Sequence, residues 1–477
     1  MRQTYKKIIS LLILIAIVLL LFEIGLRIVF FQKKANNTFA ISAAFYRIKQ
    51  EFIQYKASKS PAVVGPYKVI AQDFTGDGII DLAIAYYADG FINATANHTS
   101  GVFTIEQGDG KGNFIHLSLN TVHVPHEMNR IPQIYNISSG DIDKDGLNDL
   151  AIGIENFALV LKNVGNGKFE EIIRYSMRSL VKGIKLVDLN NDGILDLLHT
   201  SQGTGRPGDT PTGKLYIRLG LGNWKFGTAI TVDAGQSAYY IEAADFTGDG
   251  YLDIFVPNER ISTVTYWINP GKYIFNDTYK EVSRLETKMG GDSLIIQEHN
   301  LESRVLQTSG WNINDVRLAE FNGDGYLDLI TANWGSNNIS VFLGNGKDFQ
   351  KEQLIPCGEN CTFLAVGDLN SDGDLDFVVT HWTEDFLSAF LNKGNGEFEP
   401  MKKYKTALGN YGVTVFDADG DGNLDIFTAN YKARSISILK NKGDGTFVHA
   451  ITVPRGFKKA GDRWVQGKNN GDKFSSK

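Results

Sequence analysis

Cysteine and proline are scarce in this chain of 477 residues. The two cysteines are Cys357 and Cys361, and there are 11 prolines. Two cysteines cannot build a disulfide-rich scaffold or a four-cysteine zinc site. Lysine and arginine number 48 against 54 aspartates and glutamates, a formal net charge of −6, so the composition gives no basic excess to follow a phosphate backbone. Nucleic acid is therefore not expected as a partner.

Long helical patterns are also missing after residue 60, apart from a weak one over residues 277–289. Glycine, in contrast, is abundant, with 50 residues, and there are 29 phenylalanines and 19 tyrosines. This mixture is typical of many short strands joined by tight turns. The composition therefore predicts an all-β fold.

The N-terminal segment has the pattern of an export signal or a membrane anchor. Three basic residues lie within the first seven, an apolar run extends from Ile8 to Phe22, and apolar character continues from Ile24 to Phe31. This pattern predicts an uncleaved transmembrane anchor over residues 1–31, with a cleaved signal peptide as the alternative. Both export the rest of the chain, to the periplasm or the cell exterior. Residues 32–61 are predicted to form a partly helical stalk.

One nine-residue pattern, D-x-[DNT]-x-D-G-x-x-D, occurs seven times, and its fifth copy opens with Glu320 in place of aspartate. Apolar or alternating segments flank each copy and predict a strand on either side, while a glycine turn closed by phenylalanine separates a third and a fourth strand. Four antiparallel strands in each repeat match one propeller blade. The sequence therefore predicts a seven-bladed β-propeller over residues 62–455, followed by a polar tail over residues 456–477.

Each copy carries oxygen-bearing side chains at positions one, three, five and nine, as a hard cation such as Ca²⁺ requires. The glycine at position six permits a sharp turn. An EF-hand is rejected, since it needs a glutamate at position twelve and flanking helices. The alternative is that the loops are turns capped by their own side chains without metal. The predicted ligands are Asp73, Thr75, Asp77, Asp81, Asp141, Asp143, Asp145, Asp149, Asp188, Asn190, Asp192, Asp196, Asp245, Thr247, Asp249, Asp253, Glu320, Asn322, Asp324, Asp328, Asp368, Asn370, Asp372, Asp376, Asp417, Asp419, Asp421 and Asp425.

These loops and the G-x-G-x-F turns resemble the FG-GAP/VCBS repeats of the integrin alpha-chain propeller and of many bacterial surface proteins. The resemblance implies a propeller with calcium in its loops, but not a role, because such propellers serve unrelated functions. In the integrin-like arrangement the opposite face is formed by segments that leave second strands and enter first strands. The aromatic residues predicted to bind a ligand there are Tyr87, Trp311, Trp334, Trp382, Tyr411 and Tyr431. Packing between blades is the alternative.

The predicted function is thus that of an exported, membrane-anchored, calcium-binding propeller that binds a protein or glycan at the cell surface. A carbohydrate-active enzyme remains an alternative, because some polysaccharide lyases resemble this architecture, and a passive scaffold is another. No set of catalytic residues stands out, so catalysis is not expected. In an oxidising compartment Cys357 and Cys361 are predicted to form a small disulfide, with free thiols as the alternative.

Overall fold

A computed structural model describes residues 63–89, 100–124, 132–177, 179–203, 212–271, 303–448, 451–454, 457–460 and 463–466. These residues form strands and turns, and none of them is in an α-helix. No helix of sufficient length and apolar character to cross a membrane is found among them. The predicted anchor over residues 1–31, the stalk over 32–61 and the weak helical pattern over 277–289 lie outside the described residues.

Seven four-stranded antiparallel sheets, each one blade, make up most of the described chain. Blade one contains β1 (Val63–Gln72), β2 (Asp81–Asp89), β3 (Ser100–Gly108) and β4 (Phe114–His123). Blade two contains β5 (Ile134–Gly140), β6 (Asp149–Ile154), β7 (Phe157–Asn163) and β8 (Phe169–Ser176). Blade three contains β9 (Ile184–Val187), β10 (Asp196–Ser201), β11 (Gly213–Arg218) and β14 (Ile230–Gly235), and the hairpin β12 (Gly220–Gly222) and β13 (Lys225–Phe226) precedes its last strand.

The four remaining blades repeat the same order of four strands. Blade four contains β15 (Glu242–Ala244), β16 (Asp253–Asn258), β17 (Thr263–Trp267) and β18 (Ser303–Gln307). Blade five contains β19 (Ile313–Ala319), β20 (Asp328–Asn333), β21 (Asn338–Phe342) and β22 (Gln353–Pro356). Blade six contains β23 (Cys361–Gly367), β24 (Asp376–His381), β25 (Phe386–Phe390) and β26 (Lys402–Lys405). Blade seven contains β27 (Asn410–Phe416), β28 (Asp425–Asn430), β29 (Ser435–Leu439) and β30 (Ile451–Pro454).

The first strand of each blade lies nearest the central axis. First strands contact one another from blade to blade, namely β27 with β1, β1 with β5, β5 with β9, β15 with β19, β19 with β23, and β23 with β27. Across the remaining boundary, Lys185 of β9 forms an ion pair with Glu242 of β15. The ring is also closed by a hydrogen bond from the Gly112 N–H in blade one to the Ala418 carbonyl in blade seven, at 3.0 Å. The predicted all-β, seven-bladed propeller is confirmed.

Burial along each blade explains the sequence pattern of its strands. The second strands β6, β10, β16, β20, β24 and β28 are buried along their whole length, because neighbouring blades cover both of their faces. This is why the sequence after each loop is a nearly continuous apolar run. The outer strand β8 has no fully buried residue, and each of its residues is exposed or partly buried. Beyond the last blade, β31 (Phe457–Ala460) and β32 (Arg463–Gln466) pair as a hairpin, which the sequence analysis did not predict within residues 456–477.

Candidate metal centres and aromatic face

The predicted metal loops join the first strand of each blade to its second strand, so all lie on one face of the ring, here called the loop face. In the last loop the first carboxylate organises the turn, because Asp417 accepts the backbone N–H groups of Gly420 at 2.8 Å and of Gly422 at 2.8 Å. The fifth residue, Asp421, accepts the N–H of Asn423 at 2.9 Å. Gly422 at position six has a φ of 88°, a left-handed conformation that a glycine adopts without strain.

The ninth residue of every loop is a buried aspartate at the start of the second strand. In blade six Asp376 is fully buried, and its two oxygens accept the N–H of Leu369 at 2.8 Å and of Asn392 at 2.7 Å. One carboxylate therefore connects the loop to the end of the third strand. Burial raises the pKa of Asp376 to about 6, although the two backbone hydrogen bonds oppose this shift. The ninth residue thus braces the blade whether or not it also contacts a metal.

The loops are also tied to the next blade by an asparagine in the glycine turn. Asn392 of blade six donates its amide to the Phe321 carbonyl of the blade-five loop at 2.7 Å, and Asn441 of blade seven donates to the Leu369 carbonyl of the blade-six loop at 2.8 Å. Phe398, which closes the turn of blade six, packs against Phe321 with ring centroids 5.5 Å apart. The conformation of each loop is therefore coupled to the contact between two blades.

Third-position side chains have unsatisfied oxygen atoms in several loops. Thr75 Oγ1, Asp143 Oδ1, Thr247 Oγ1 and Asp419 Oδ1 are buried and have no hydrogen-bond partner among the described residues. A buried oxygen without a partner costs free energy, and a bound cation would remove that cost. Two groups of carboxylates are also close enough to share one ion, namely Asp141, Asp143 and Asp149, and Asp417, Asp419 and Asp421. These acidic clusters could hold a metal ion, so the donor set fits a hard cation.

The other three loops have asparagine at position three, and the fifth loop also has its glutamate at position one. Each asparagine amide donates to the fifth-position aspartate, as Asn370 does to Asp372 at 2.7 Å. In the fifth loop Glu320 accepts the N–H groups of Asn322 at 2.8 Å and of Gly323, so the longer side chain still organises the turn. The predicted metal ligands are therefore brought together loop by loop, while metal binding itself stays a prediction.

Two lysines that were not predicted as site residues contact metal-loop carboxylates. Lys162 forms ion pairs with Asp143 and, at 2.8 Å, with Asp145, and Lys440 does so with Asp419 and, at 3.8 Å, with Asp421. The hydrogen bonds that these ammonium groups donate to the carboxylates raise the pKa of both lysines. These are the two loops with aspartate at position three. Aligning the repeats column by column would have revealed the pairing, since each lysine directly precedes the turn asparagine.

Family comparison identifies the repeats. The FG-GAP-like repeat matches residues 141–199, 188–256, 320–379 and 368–428. Each match begins at the first residue of one loop and ends within the second strand of the next blade, which agrees with the boundaries of the repeat in the structure. The chain is a propeller of FG-GAP-like repeats.

Other known proteins are similar to parts of this FG-GAP propeller. Cartilage acidic protein 1 of Mus musculus is 25% identical over 293 residues, which are 58% of this chain and 40% of that protein. Phosphatidylinositol-glycan-specific phospholipase D of Dictyostelium discoideum is 26% identical over 179 residues, 37% of this chain and 13% of that protein. The chain therefore matches less than half the length of either relative. A solved Agrocybe aegerita lectin, described as recognising non-reducing terminal N-acetylglucosamine, is 18% identical with a TM-score of 0.46, covering 81% of this chain and 94% of the lectin.

The FG-GAP propeller brings four of the six predicted ligand-binding aromatic residues into one cluster. Trp382 stacks on Tyr431 with ring centroids 5.1 Å apart and meets Tyr411 at 5.2 Å, while Tyr87 meets Tyr431 at 5.6 Å. Tyr411 and Tyr431 are buried, with 7% and 3% of their surface exposed, whereas Tyr87 and Trp382 are partly buried. The two buried tyrosines thus act in packing here. The ligand-binding role of the set stays a prediction.

Trp311 and Trp334 make none of those ring contacts, and the backbone segments that contain them are hydrogen-bonded to each other. The Trp311 carbonyl accepts the N–H of Gly335 at 2.9 Å, and the Trp311 N–H donates to Ser336 Oγ at 2.9 Å. Trp334 is partly buried, but 49% of Trp311 is exposed. In the connection from blade five to blade six, the sulfur atoms of Cys357 and Cys361 are bonded to each other, and both residues are buried.

Proposed function

We propose that this chain is an exported, calcium-binding FG-GAP propeller, held at a membrane by its N-terminal segment, that binds a protein or glycan through the face opposite its metal loops. The basic and apolar pattern of residues 1–31 supports the anchor and the extracytoplasmic location. Mass spectrometry of the mature N-terminus tests it: the initial residues are expected to be retained, and a terminus near Phe45 would contradict anchoring.

Calcium is the cation best suited to these loops. Their donors are carboxylate, amide, hydroxyl and backbone oxygens, which hard cations prefer, and the differing third and first positions require a flexible coordination geometry. The unpartnered buried oxygens of Thr75 and Thr247 support an ion in loops that have no lysine contact. In the second and seventh loops Lys162 and Lys440 offset the additional third-position carboxylate. We therefore expect these two loops to bind calcium more weakly than the others.

Replacing both lysines should strengthen calcium binding. In the double variant Lys162→Met and Lys440→Met, an uncharged side chain of similar length replaces the ammonium that competes for the same carboxylates. We expect more calcium per chain in equilibrium dialysis at limiting free calcium, and affinity at these loops to rise at least about tenfold, the effect expected of one neutralised neighbouring charge. Lys393→Met, at an exposed lysine paired with Glu397 in a glycine turn, is the matched control. An unchanged stoichiometry and affinity would show that the lysines do not compete with the metal.

The half-exposed side chain of Trp311 is the main support for the proposed binding face. Trp311 lies two residues before β19, whose other end leads into the fifth metal loop, so we place the indole on the face opposite the loops. The indole lies over Gly335, because a Cβ at that position would be 2.1 Å from the ring. A large aromatic side chain that is half exposed yet held in place by backbone hydrogen bonds offers flat apolar area with little entropy to lose on binding. Such a residue is typical of an anchor for a sugar ring or a partner protein.

Substitution of Trp311 separates binding from folding. Trp311→Ala should lower binding of the full-length chain on a glycan array at least about tenfold, as for an interface anchor worth about 2 kcal/mol, while changing the melting temperature little. Tyr326→Ala is the matched control, since Tyr326 is 46% exposed but lies in a metal loop on the other face. Equal loss in both variants, or no loss with Trp311→Ala, would contradict the assignment of the face.

A further inference from the structure

A polar cavity of about 400 Å³ lies on the axis of the propeller, between a cluster of tyrosines and the loop face. Tyr67 donates a hydrogen bond to the hydroxyl of Tyr411 at 2.7 Å, and the hydroxyls of Tyr411 and Tyr239 are 3.3 Å apart. These rings close the axis on the side opposite the loops. The cavity is lined by the next residues of the same strands, from Lys68 to Gln72 on β1, which leads directly into the first loop.

Charged side chains from four blades meet in this axial cavity, and their positive and negative charges are unequal in number. Arg317 contacts Glu242 at 3.0 Å and Asp315 at 3.0 Å, and Lys185 pairs with Glu242. With Lys68 there are three cationic and two anionic side chains in the lining. Solvent reaches them, because the side chains of Lys185 and Arg317 are each 24% exposed. The lining therefore contains one positive charge more than it contains negative charges.

Lys68 is the unpaired member of this set. Only 8% of its surface is exposed, and the ion pairs among the described cavity residues do not include it. Its ammonium lies 4.3 Å from the ring centroid of Phe363 and 5.1 Å from that of Tyr240. Desolvation lowers the pKa of Lys68 to about 8, with the charge of Asp315 opposing the shift, so the ammonium is still mainly protonated at neutral pH. Asp315 is not in ion-pair contact with this ammonium. A buried cation without a direct carboxylate contact is costly, and an anionic ligand would offset that cost.

The remaining surface of the cavity consists of hydrogen-bonding groups. Each first strand is the edge of its sheet, so the backbone N–H and C=O groups that the sheet does not pair face the axis. Some of these groups already bond to lining side chains, as the Leu186 N–H does to Ser138 Oγ at 3.1 Å. Ser138, Ser139 and Thr414 add hydroxyls to the lining. Such a surface suits a ligand with several hydroxyl groups, and the volume lies within the ~300–1,000 Å³ range of small-molecule sites.

We propose that the axial cavity is a binding site for a small hydroxylated monocarboxylate of the size of a sugar acid, with its carboxylate at the ammonium of Lys68 and its hydroxyls at the strand edges. This site lies on the opposite side of the tyrosine cluster from Trp311. It is therefore independent of the proposed binding face.

Calorimetric titration of the purified full-length chain tests the site with three probes: glucuronate, glucose and acetate. The buffer contains saturating calcium, which offsets the carboxylates of the loops around the cavity mouth. We expect glucuronate to bind at least about tenfold more tightly than glucose, since only the former makes a charge-assisted hydrogen bond. Acetate should bind more weakly than glucuronate because it lacks the hydroxyls.

Two variants locate the site. Lys68→Met should weaken glucuronate binding at least about tenfold, the loss expected for one charge-assisted hydrogen bond, and Lys68→Arg should retain it. Lys182→Met is the matched control, because Lys182 lies 3.7 Å from the ring centroid of Tyr135 and precedes β9, on the far side of the tyrosine cluster. If Lys68→Met does not fold, the relative affinities of glucuronate, glucose and acetate for the unmodified chain still test the proposal. Absence of glucuronate binding, equal binding of glucose or of acetate, or full binding by a folded Lys68→Met variant would each overturn the proposal.

Discussion

Removing calcium is expected to lower the melting temperature of the propeller by at least about 5 °C. An ion that binds the folded loops but not the unfolded chain stabilises by about 2.7 kcal/mol at one hundred times its dissociation constant, and one kcal/mol shifts the midpoint of a large domain by ~2–4 °C. Several loops contribute here, and each is hydrogen-bonded to the next blade, as Asn392 is to the Phe321 carbonyl. Loss of the ions should therefore weaken contacts around the whole ring.

Thermal unfolding followed by circular dichroism, in chelator and in millimolar calcium at matched ionic strength, measures this effect. Magnesium at the same concentration is the control, because it requires a stricter octahedral geometry and should stabilise less. Elemental analysis of the purified protein supplies the number of ions. Superimposable melting curves together with no bound metal would falsify the calcium assignment, and the loops would then be turns capped by their own side chains.

Asp376→Ala is expected to destabilise the propeller strongly even in the presence of chelator. The substitution removes the acceptor of the Leu369 and Asn392 N–H groups in a fully buried position. Each buried N–H that loses its partner costs ~1–3 kcal/mol, so the free energy of unfolding should fall by about 2–6 kcal/mol. The loss is independent of metal, since these hydrogen bonds are made by the carboxylate itself.

Asp372→Ala in the same loop is the matched control. Asp372 is exposed and accepts the N–H of Asp374 at 2.9 Å, so we expect a loss of no more than ~1 kcal/mol in chelator. In calcium, however, Asp372→Ala should reduce the additional stabilisation by the ion. Urea unfolding of both variants, each in chelator and in calcium, gives the four free energies of unfolding for this comparison. Similar losses for the two variants in chelator would show that the ninth-position aspartate has no special bracing role.

The fold and the loop positions were predictable because both depend on a local pattern. The aspartates, the sixth-position glycine and the apolar run after each loop lie within about fifteen residues, and their repetition indicated both the blade and the number of blades. The positive φ of Gly422 and the buried second strands agree with those expectations. The double role of Asp376 was not predictable, because the N–H of Asn392 reaches it from the third strand.

The exposure of the aromatic residues could not be predicted from the repeats. Sequence position alone placed Tyr431 and Trp311 in one set, but one is 3% exposed and the other 49%. Exposure depends on what neighbouring blades place against each ring, and no repeat-based alignment contains that information. Lys162 differs in this respect, because its position directly before the turn asparagine recurs at Lys440 and is visible in the aligned repeats, although its contact with Asp143 is made between the loop and the third strand.

The sequence by itself determined the repeat, the strands around each loop and the oxygen donors that a cation would need, because these follow from residue spacing within one repeat. Tertiary structure alone decided how the centre of the ring is closed and charged. Tyr67 and Tyr411 share a hydrogen bond across 344 positions of the chain, and the axial cavity collects Lys68, Lys185, Glu242, Asp315 and Arg317 from four blades. Closing a ring brings together first strands that are far apart in sequence, so the chemistry on the axis has no local signature.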